Sequence, residues 1–186
     1  MNRRWVRVLW LAAALALLAA CGREETGASG NTQMPASAAA ARGEQAPPEH
    51  PTLRVETLDG KPWDLEQQRG KWVLVNYWAT WCGPCLQEMP ELSAVAAMRQ
   101  YISIIGLAYD DTDPDEIRAF LQQHPVTYPI ARVSIYAPPE HFGVPRTLPT
   151  SWLLDPDGRV VRKYSGQVTA RMLEDDIAAR GGPKAG

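Results

Sequence analysis

Two cysteines, Cys82 and Cys85, lie three positions apart in the stretch WATWCGPCLQEMP. A pair with this spacing can serve as a redox couple, hold a metal ion or crosslink the fold. A crosslink over so short a span closes a very small loop and removes little entropy from the unfolded chain. The purely structural role is therefore the weakest of the three.

The surrounding sequence favours the redox role. Cys82 follows the apolar run KWVLVNYWA, which predicts a buried strand, and it stands where a helical pattern begins. The free N–H groups and the dipole of a helix N-terminus stabilise an anion, so we expect a lowered pKa for the Cys82 thiol. Cys85 lies one turn further along, on the inner side. We predict that Cys82 attacks and Cys85 resolves the mixed disulfide, which leaves a Cys82–Cys85 disulfide.

The N-terminus indicates where this chemistry takes place. Residues 1–20 combine Arg3, Arg4 and Arg7 with an apolar stretch that is too short, at ~1.5 Å per helical residue, for a bilayer core of ~30 Å. This order is that of a signal peptide. The junction LAAC resembles a bacterial lipobox, in which Cys21 is lipidated and anchors the chain to a membrane.

A lipidated Cys21 would place the chain on the periplasmic side of a bacterial membrane, where disulfides persist. By resemblance to Gram-negative lipoproteins, Gly22 after the cysteine favours the outer membrane. An ordinary signal peptide and an uncleaved signal anchor are the alternatives.

The rest of the chain divides by composition. Residues 21–50 are rich in Ala, Gly, Ser, Glu, Gln and Pro and predict a disordered linker after the lipidated cysteine. Residues 51–181 form the globular domain, and residues 182–186 a frayed tail. The net charge of −2 and the lack of a basic stripe exclude a nucleic-acid footprint.

Strand and helix patterns alternate along the domain. The order is a β-hairpin, then β, α, β, α, β, a second hairpin and a closing helix. Such alternation predicts an α/β fold of three α/β/α layers, with a mixed central sheet because the last hairpin is antiparallel.

These features together resemble the thioredoxin superfamily. WCGPC is the thioredoxin motif letter for letter, and Pro90 matches its helix proline. The stretches GKWVLVNYWATWCGPCLQEMPEL and GVPRTLPTSWLLDPDGRVV are similar to membrane-tethered thiol–disulfide oxidoreductases of the TlpA/ResA type. By this resemblance the segment from Asp111 to about Pro139 is a helical insertion before the last hairpin. The resemblance covers about residues 51–181. It implies a thioredoxin fold and a monomer that exchanges disulfides with proteins, without an organic cofactor or a metal.

The resemblance also implies roles for residues outside the cysteine pair. Pro149 would have a cis peptide bond, face the dithiol and shape the substrate groove. The residue before it, Leu148, replaces the Thr or Val common in relatives and would contact substrate. Trp81 would shield the site and pack beside substrate, together with Gly83 and Pro84.

Glu88 matches a carboxylate that relatives carry three residues after the second cysteine. Helical spacing puts Glu88 on the same face as Cys85, so it could accept the proton of the resolving thiol. An acid in solvent on the helix surface is the alternative. Asn76 stands where thioredoxin has a buried Asp, and it cannot take a proton.

Three other functions compete with a reductase. A peroxidase of the peroxiredoxin type would, by resemblance, need Pro and Thr where this chain has Val75 and Ala79. Two thiolates could handle Cu(I), although no histidine has ligand spacing with them. A DsbA-like disulfide donor would use different residues between the cysteines. A reductase outside the cytoplasm would need electrons from a membrane donor of the DsbD or CcdA type.

Overall fold

The structure, a computed structural model, describes residues 46–184. The predicted signal peptide, Cys21 and the linker as far as residue 45 lie outside the described residues. Glu49 is already attached to the fold, because its carbonyl accepts a hydrogen bond of 3.0 Å from the Val160 N–H. None of the helices in residues 46–184 is long and apolar enough to span a bilayer.

The strands and helices follow the predicted order. In sequence they are β1 (Arg54–Glu56), β2 (Pro62–Asp64), a 3₁₀ helix (Leu65–Gln68), β3 (Trp72–Trp78), α1 (Gly83–Met98), β4 (Ile102–Tyr109), α2 (Pro114–Gln123), β5 (Ile130–Val133), β6 (Thr150–Leu154), β7 (Val160–Ser165) and α3 (Ala170–Ala179).

The main sheet is mixed, as the sequence predicts. Its five strands lie in the order β5-β4-β3-β6-β7, and β1 and β2 form a separate antiparallel hairpin. Strands β3, β4 and β5 run parallel, whereas β6 is antiparallel to β3 and β7 to β6. β3 occupies the centre and every one of its residues is buried, which explains why its sequence is apolar except for Asn76.

Helices cover one face of this sheet. The chain steps in one direction from β3 to β4 to β5, and right-handed crossovers then place α1 and α2 on the same side. Buried side chains of all three helices belong to one core, among them Leu92 of α1, Ile117 of α2 and Ile177 of α3.

The opposite face is covered by the N-terminal hairpin region. Leu53, Trp63 and Leu65 pack there with Phe142 and with Trp152 of β6. The sheet is thus the middle of three layers, but one outer layer consists of the hairpin and the 3₁₀ helix instead of α-helices. The sequence pattern did not reveal this difference. The face of the sheet that a helix covers depends on the order in which the strands lie side by side, and the chain order of strands and helices does not specify it.

Candidate active site

The two cysteines form a disulfide at the N-terminus of α1. Their sulfur atoms are 2.04 Å apart and their Cα atoms 5.3 Å apart. Cys82 is the N-cap residue of α1, and its Sγ accepts the Cys85 N–H at 3.3 Å. The same N–H group and the helix dipole would stabilise a Cys82 thiolate after reduction. The predicted pairing and helix position are therefore both present.

The turn that carries Cys82 is tied to the neighbouring strand. The hydroxyl of Thr80 donates to Oδ2 of Asp110 at 3.0 Å, directly after β4. Oδ1 of Asp110 accepts the N–H of Thr112 at 3.0 Å and its hydroxyl at 2.6 Å. Burial of Asp110 opposes its ionisation, but the hydrogen bonds from Thr112 and Thr80 outweigh this effect and lower its pKa. Asp110 thus holds the turn as a charged acceptor.

A surface cleft of about 730 Å³ opens beside Cys82. It contains the residues that the sequence predicts for substrate contact and adds others from the inserted segment and the loop before β6. Trp81 is 70% exposed at this cleft and is not part of the core. The lining residues are Trp81, Cys82, Gly83, Pro84, Tyr109, Ile135, Tyr136, Pro145, Arg146, Thr147 and Leu148.

The segment before β6 lies at the same cleft. The Leu148–Pro149 peptide bond is cis, as the resemblance implies. Flanking atoms hold this segment in place, because the carbonyl of Pro149 accepts the Gly166 N–H at 2.8 Å and the carbonyl of Thr147 accepts the Thr150 hydroxyl at 2.7 Å. Between them, the main chain of Leu148 makes no backbone hydrogen bond within residues 46–184. Pro149 itself is not among the residues that line the cleft.

Glu88 is fully buried on the inner face of α1, so the alternative of an acid in solvent is wrong. Its Oε1 accepts Nδ2 of Asn76 at 2.7 Å, and its Oε2 accepts the N–H of Val168 at 2.7 Å. Burial raises the pKa of Glu88 to about 7, although both hydrogen bonds oppose the shift. A carboxyl group with this pKa can take up and release a proton near neutrality.

Asn76 connects Glu88 to the sheet. Its Nδ2 also donates to the hydroxyl of Ser151 at 2.9 Å, whereas its Oδ1 is buried and has no hydrogen-bond partner in the described part of the chain. Sequence reasoning did not find Ser151 or the Val168 N–H. A backbone donor 80 positions away from Glu88 leaves no trace in a local pattern.

Among the residues described, no group of three or more His, Cys, Asp or Glu side chains could hold a metal ion. The cysteine pair therefore stands without a third ligand of these types in residues 46–184.

Comparison with known proteins identifies the family. The chain matches the model of the AhpC/TSA family over residues 43–164. It is 35% identical over 129 residues to the thiol-disulfide oxidoreductase ResA of Bacillus thuringiensis subsp. konkukian, which covers 68% of this chain and 73% of the relative. The chain belongs to the AhpC/TSA family and, within it, to the ResA-like thiol-disulfide oxidoreductases.

Two further proteins are similar to this chain. The thioredoxin-like protein YneN of Bacillus subtilis is 30% identical over 142 residues, which cover 73% of this chain and 78% of the relative. A crystal structure described as that of a thiol:disulfide interchange protein DsbE from Chlorobium tepidum superimposes with a TM-score of 0.64 at 27% identity. That match covers 75% of this chain and all of the other. The thioredoxin fold of a ResA-like oxidoreductase is thereby confirmed.

Proposed function

We propose that this protein is an extracytoplasmic reductase of protein disulfides. The observation that supports the proposal most directly is the Cys82–Cys85 disulfide at a helix N-terminus, beside an open cleft and on the same helix as the buried Glu88. The Gly83-Pro84 pair between the cysteines, shared with thioredoxin, favours the reducing direction. Cys82, at 5% exposure, is the cysteine that lines the cleft, whereas Cys85 is fully buried.

The proposed exchange takes two steps. The Cys82 thiolate attacks one sulfur of a substrate disulfide, which forms a mixed disulfide and releases the first substrate thiolate. Glu88 then accepts the Cys85 proton, and the Cys85 thiolate attacks Sγ of Cys82, which breaks the mixed disulfide and releases the second substrate thiolate. The two substrate thiolates become thiols by taking up protons from Glu88 and from water. The protein is left with the Cys82–Cys85 disulfide, and the substrate has gained two electrons and two thiols.

Substrate would be held by the cleft residues assigned from the sequence. Trp81, Gly83 and Pro84 would contact the segment next to the substrate disulfide. The main chain of Leu148, which has no backbone partner, could pair with that segment as an added strand. Pro149 would fix the direction of this pairing.

The remaining parts of the proposal concern location and electron supply. A lipid on Cys21 would anchor the chain on the periplasmic side of a membrane, the outer one in a Gram-negative cell. The predicted linker of residues 21–50, up to the attachment of Glu49 to the domain, would allow a reach of roughly 30 Å. Oxidised protein would be recycled by a membrane donor of the DsbD or CcdA type, without an organic cofactor or a metal.

Peroxidase activity is not supported by the site. Where a peroxiredoxin would, by resemblance, have Pro and Thr, this chain has Val75 and Ala79. Both of these side chains are fully buried and apolar. They offer no hydroxyl group beside Cys82.

Stoichiometric electron transfer tests the proposal. The full-length protein is reduced, freed from reductant and mixed with oxidised insulin. We expect about one insulin disulfide to be reduced per protein, because the Cys82–Cys85 pair carries two electrons. The opposite result would overturn the reducing direction. In that result the oxidised protein converts the thiols of reduced insulin to disulfides, and the reduced protein leaves oxidised insulin unchanged.

A further inference from the structure

The cleft beside Cys82 gathers exposed apolar side chains. In residues 46–184, five large apolar side chains are exposed: Trp81 at 70%, Met98 at 62%, Ile135 at 38%, Tyr136 at 82% and Met172 at 42%. Three of these five, Trp81, Ile135 and Tyr136, line that one cleft. Exposed apolar groups that gather in one place mark a binding surface more often than single ones do.

The loop that presents Ile135 and Tyr136 is held in place by hydrogen bonds. The hydroxyl of Tyr109 donates to the carbonyl of Ile135 at 3.2 Å. The N–H of Tyr136 donates to the Ser134 hydroxyl oxygen at 3.2 Å, and that hydroxyl in turn donates to Oδ1 of Asp111 at 3.2 Å. These hydrogen bonds fix the backbone of the loop, while the Tyr136 side chain is mostly exposed and the Ile135 side chain partly exposed.

The Tyr109 side chain packs against the central strand β3. Its ring meets Tyr77 of β3 edge-on, with centroids 5.6 Å apart. The loop thus rests on the central strand that also leads into Cys82. Such a connection fixes the position of Ile135 and Tyr136 relative to the reactive sulfur.

We propose that Ile135 and Tyr136, together with Trp81, form a subsite that selects disulfides flanked by a large apolar or aromatic residue. This inference rests on the proposed function and names its substrate class. The occupant is an extended peptide segment of a protein, with its cysteine at Cys82 and the neighbouring side chain in the cleft. Tyr136 acts here as a specificity residue, because it contacts the substrate and not the reacting sulfur atoms.

The composition of the cleft supports this occupant. Its lining contains no acidic residue from within residues 46–184. Besides Leu148 it contains four aromatic or large aliphatic side chains, namely Trp81, Tyr109, Ile135 and Tyr136. Aromatic rings favour edge and offset contacts with another ring. A Phe or Leu next to the substrate cysteine would therefore gain binding free energy when its apolar surface leaves water and enters the cleft, whereas a Ser would gain little.

The test compares two peptides that differ at one position. Each carries a single cysteine joined by a disulfide to the same small thiol, and the residue next to the cysteine is Phe in one and Ser in the other. The pre-reduced full-length protein is mixed with each peptide, and the second-order rate constant is measured from the change in tryptophan fluorescence. We expect the Phe peptide to react about tenfold faster, as suits partial burial of one large side chain.

Variants locate the preference. Tyr136→Ala is expected to lower the ratio of the two rate constants to about two, since most of the contact would be lost. Ser134→Ala, which removes the acceptor for the Tyr136 N–H, should give a ratio between those of the wild type and Tyr136→Ala. Met172→Ala is the matched control, because Met172 is exposed on α3 and does not line the cleft, and it should keep the wild-type ratio.

The outcomes separate this inference from the proposed function. If the wild-type protein reduces both peptides at equal rates, or if Tyr136→Ala keeps the full preference, the subsite is refuted while the reductase stands. If neither peptide is reduced, the proposed function itself fails.

Discussion

Replacing Cys85 by Ser is expected to stop the protein at the mixed disulfide. The Cys82 thiolate would still attack, because its helix N-terminus is unchanged, but no second thiol could displace the substrate. Turnover should fall at least about 10³-fold, the scale seen when one member of a unit of catalytic residues is removed. Non-reducing electrophoresis and mass spectrometry would then show protein joined to substrate through Cys82.

Cys82→Ser provides the control for this trap. It removes the cysteine that lines the cleft, so that the remaining cysteine within residues 46–184 is Cys85, which is fully buried. We expect no trapped complex and no turnover. A Cys82→Ser variant that captured substrate as efficiently as Cys85→Ser would contradict the assignment of the two roles.

Glu88→Gln is the second change with a large expected effect. Gln keeps the volume of the side chain but cannot accept a proton, so attack by Cys85 should slow about 10²-fold at pH 8. In the wild-type protein this step should also slow as the pH falls below about 7, where Glu88 becomes protonated. The variant should lose that inflection, which stopped-flow measurements of the resolving step from pH 5 to 9 would reveal.

Glu88 also makes the stability of the fold depend on pH in a defined direction. Its pKa is raised from 4.5 to about 7 in the folded protein, so between these values the folded chain binds more protons than the unfolded chain. The free energy of unfolding must then decrease as the pH rises through this window, by roughly 3 kcal/mol at ~1.4 kcal/mol per unit of pKa. Glu88→Gln should remove this slope in urea unfolding.

Glu91→Gln is the matched control for both measurements. Glu91 lies on the same helix and its carboxylate also accepts a backbone N–H, that of Ala170 at 2.8 Å, but it is exposed. The pH profiles of this variant should match those of the wild type. If Glu88→Gln kept the wild-type inflection in the resolving step, Glu88 would not be the proton acceptor.

The sequence predicted the reactive centre well, because its determinants are local. A buried strand that ends before Cys82 and a helix that begins there place the sulfur at a helix N-terminus, and both elements were evident from apolar periodicity. The cis bond before Pro149 followed from family resemblance instead, since X–Pro bonds are mostly trans.

The environment of Glu88 could be predicted only in part. Helical spacing placed Glu88 on the face of Cys85, but its burial depends on α3 and on the loop that supplies the Val168 N–H. These contacts form only when distant parts of the chain pack together. For the same reason the choice between a solvated and a functional carboxyl remained open at the level of sequence.

The apolar subsite was not predictable from any motif. Ile135 and Tyr136 lie in the inserted segment, where no periodicity marks them, and they reach the cleft because β5 is added next to β4. A general rule gives some guidance, since open α/β sheets bind ligands beyond the carboxyl ends of their parallel strands. The loops that follow β3 and β5 lie at the carboxyl ends of these parallel strands, and both line the cleft.

The reduction potential of the Cys82–Cys85 pair tests the central claim most directly. The full-length protein would be equilibrated with dithiothreitol or glutathione buffers, and the fraction of disulfide determined by thiol labelling. A value near that of thioredoxin, about −270 mV, is the result we predict for a reductase that depends on a membrane electron donor. A value near that of DsbA, about −120 mV, would contradict the account and make the protein a disulfide donor.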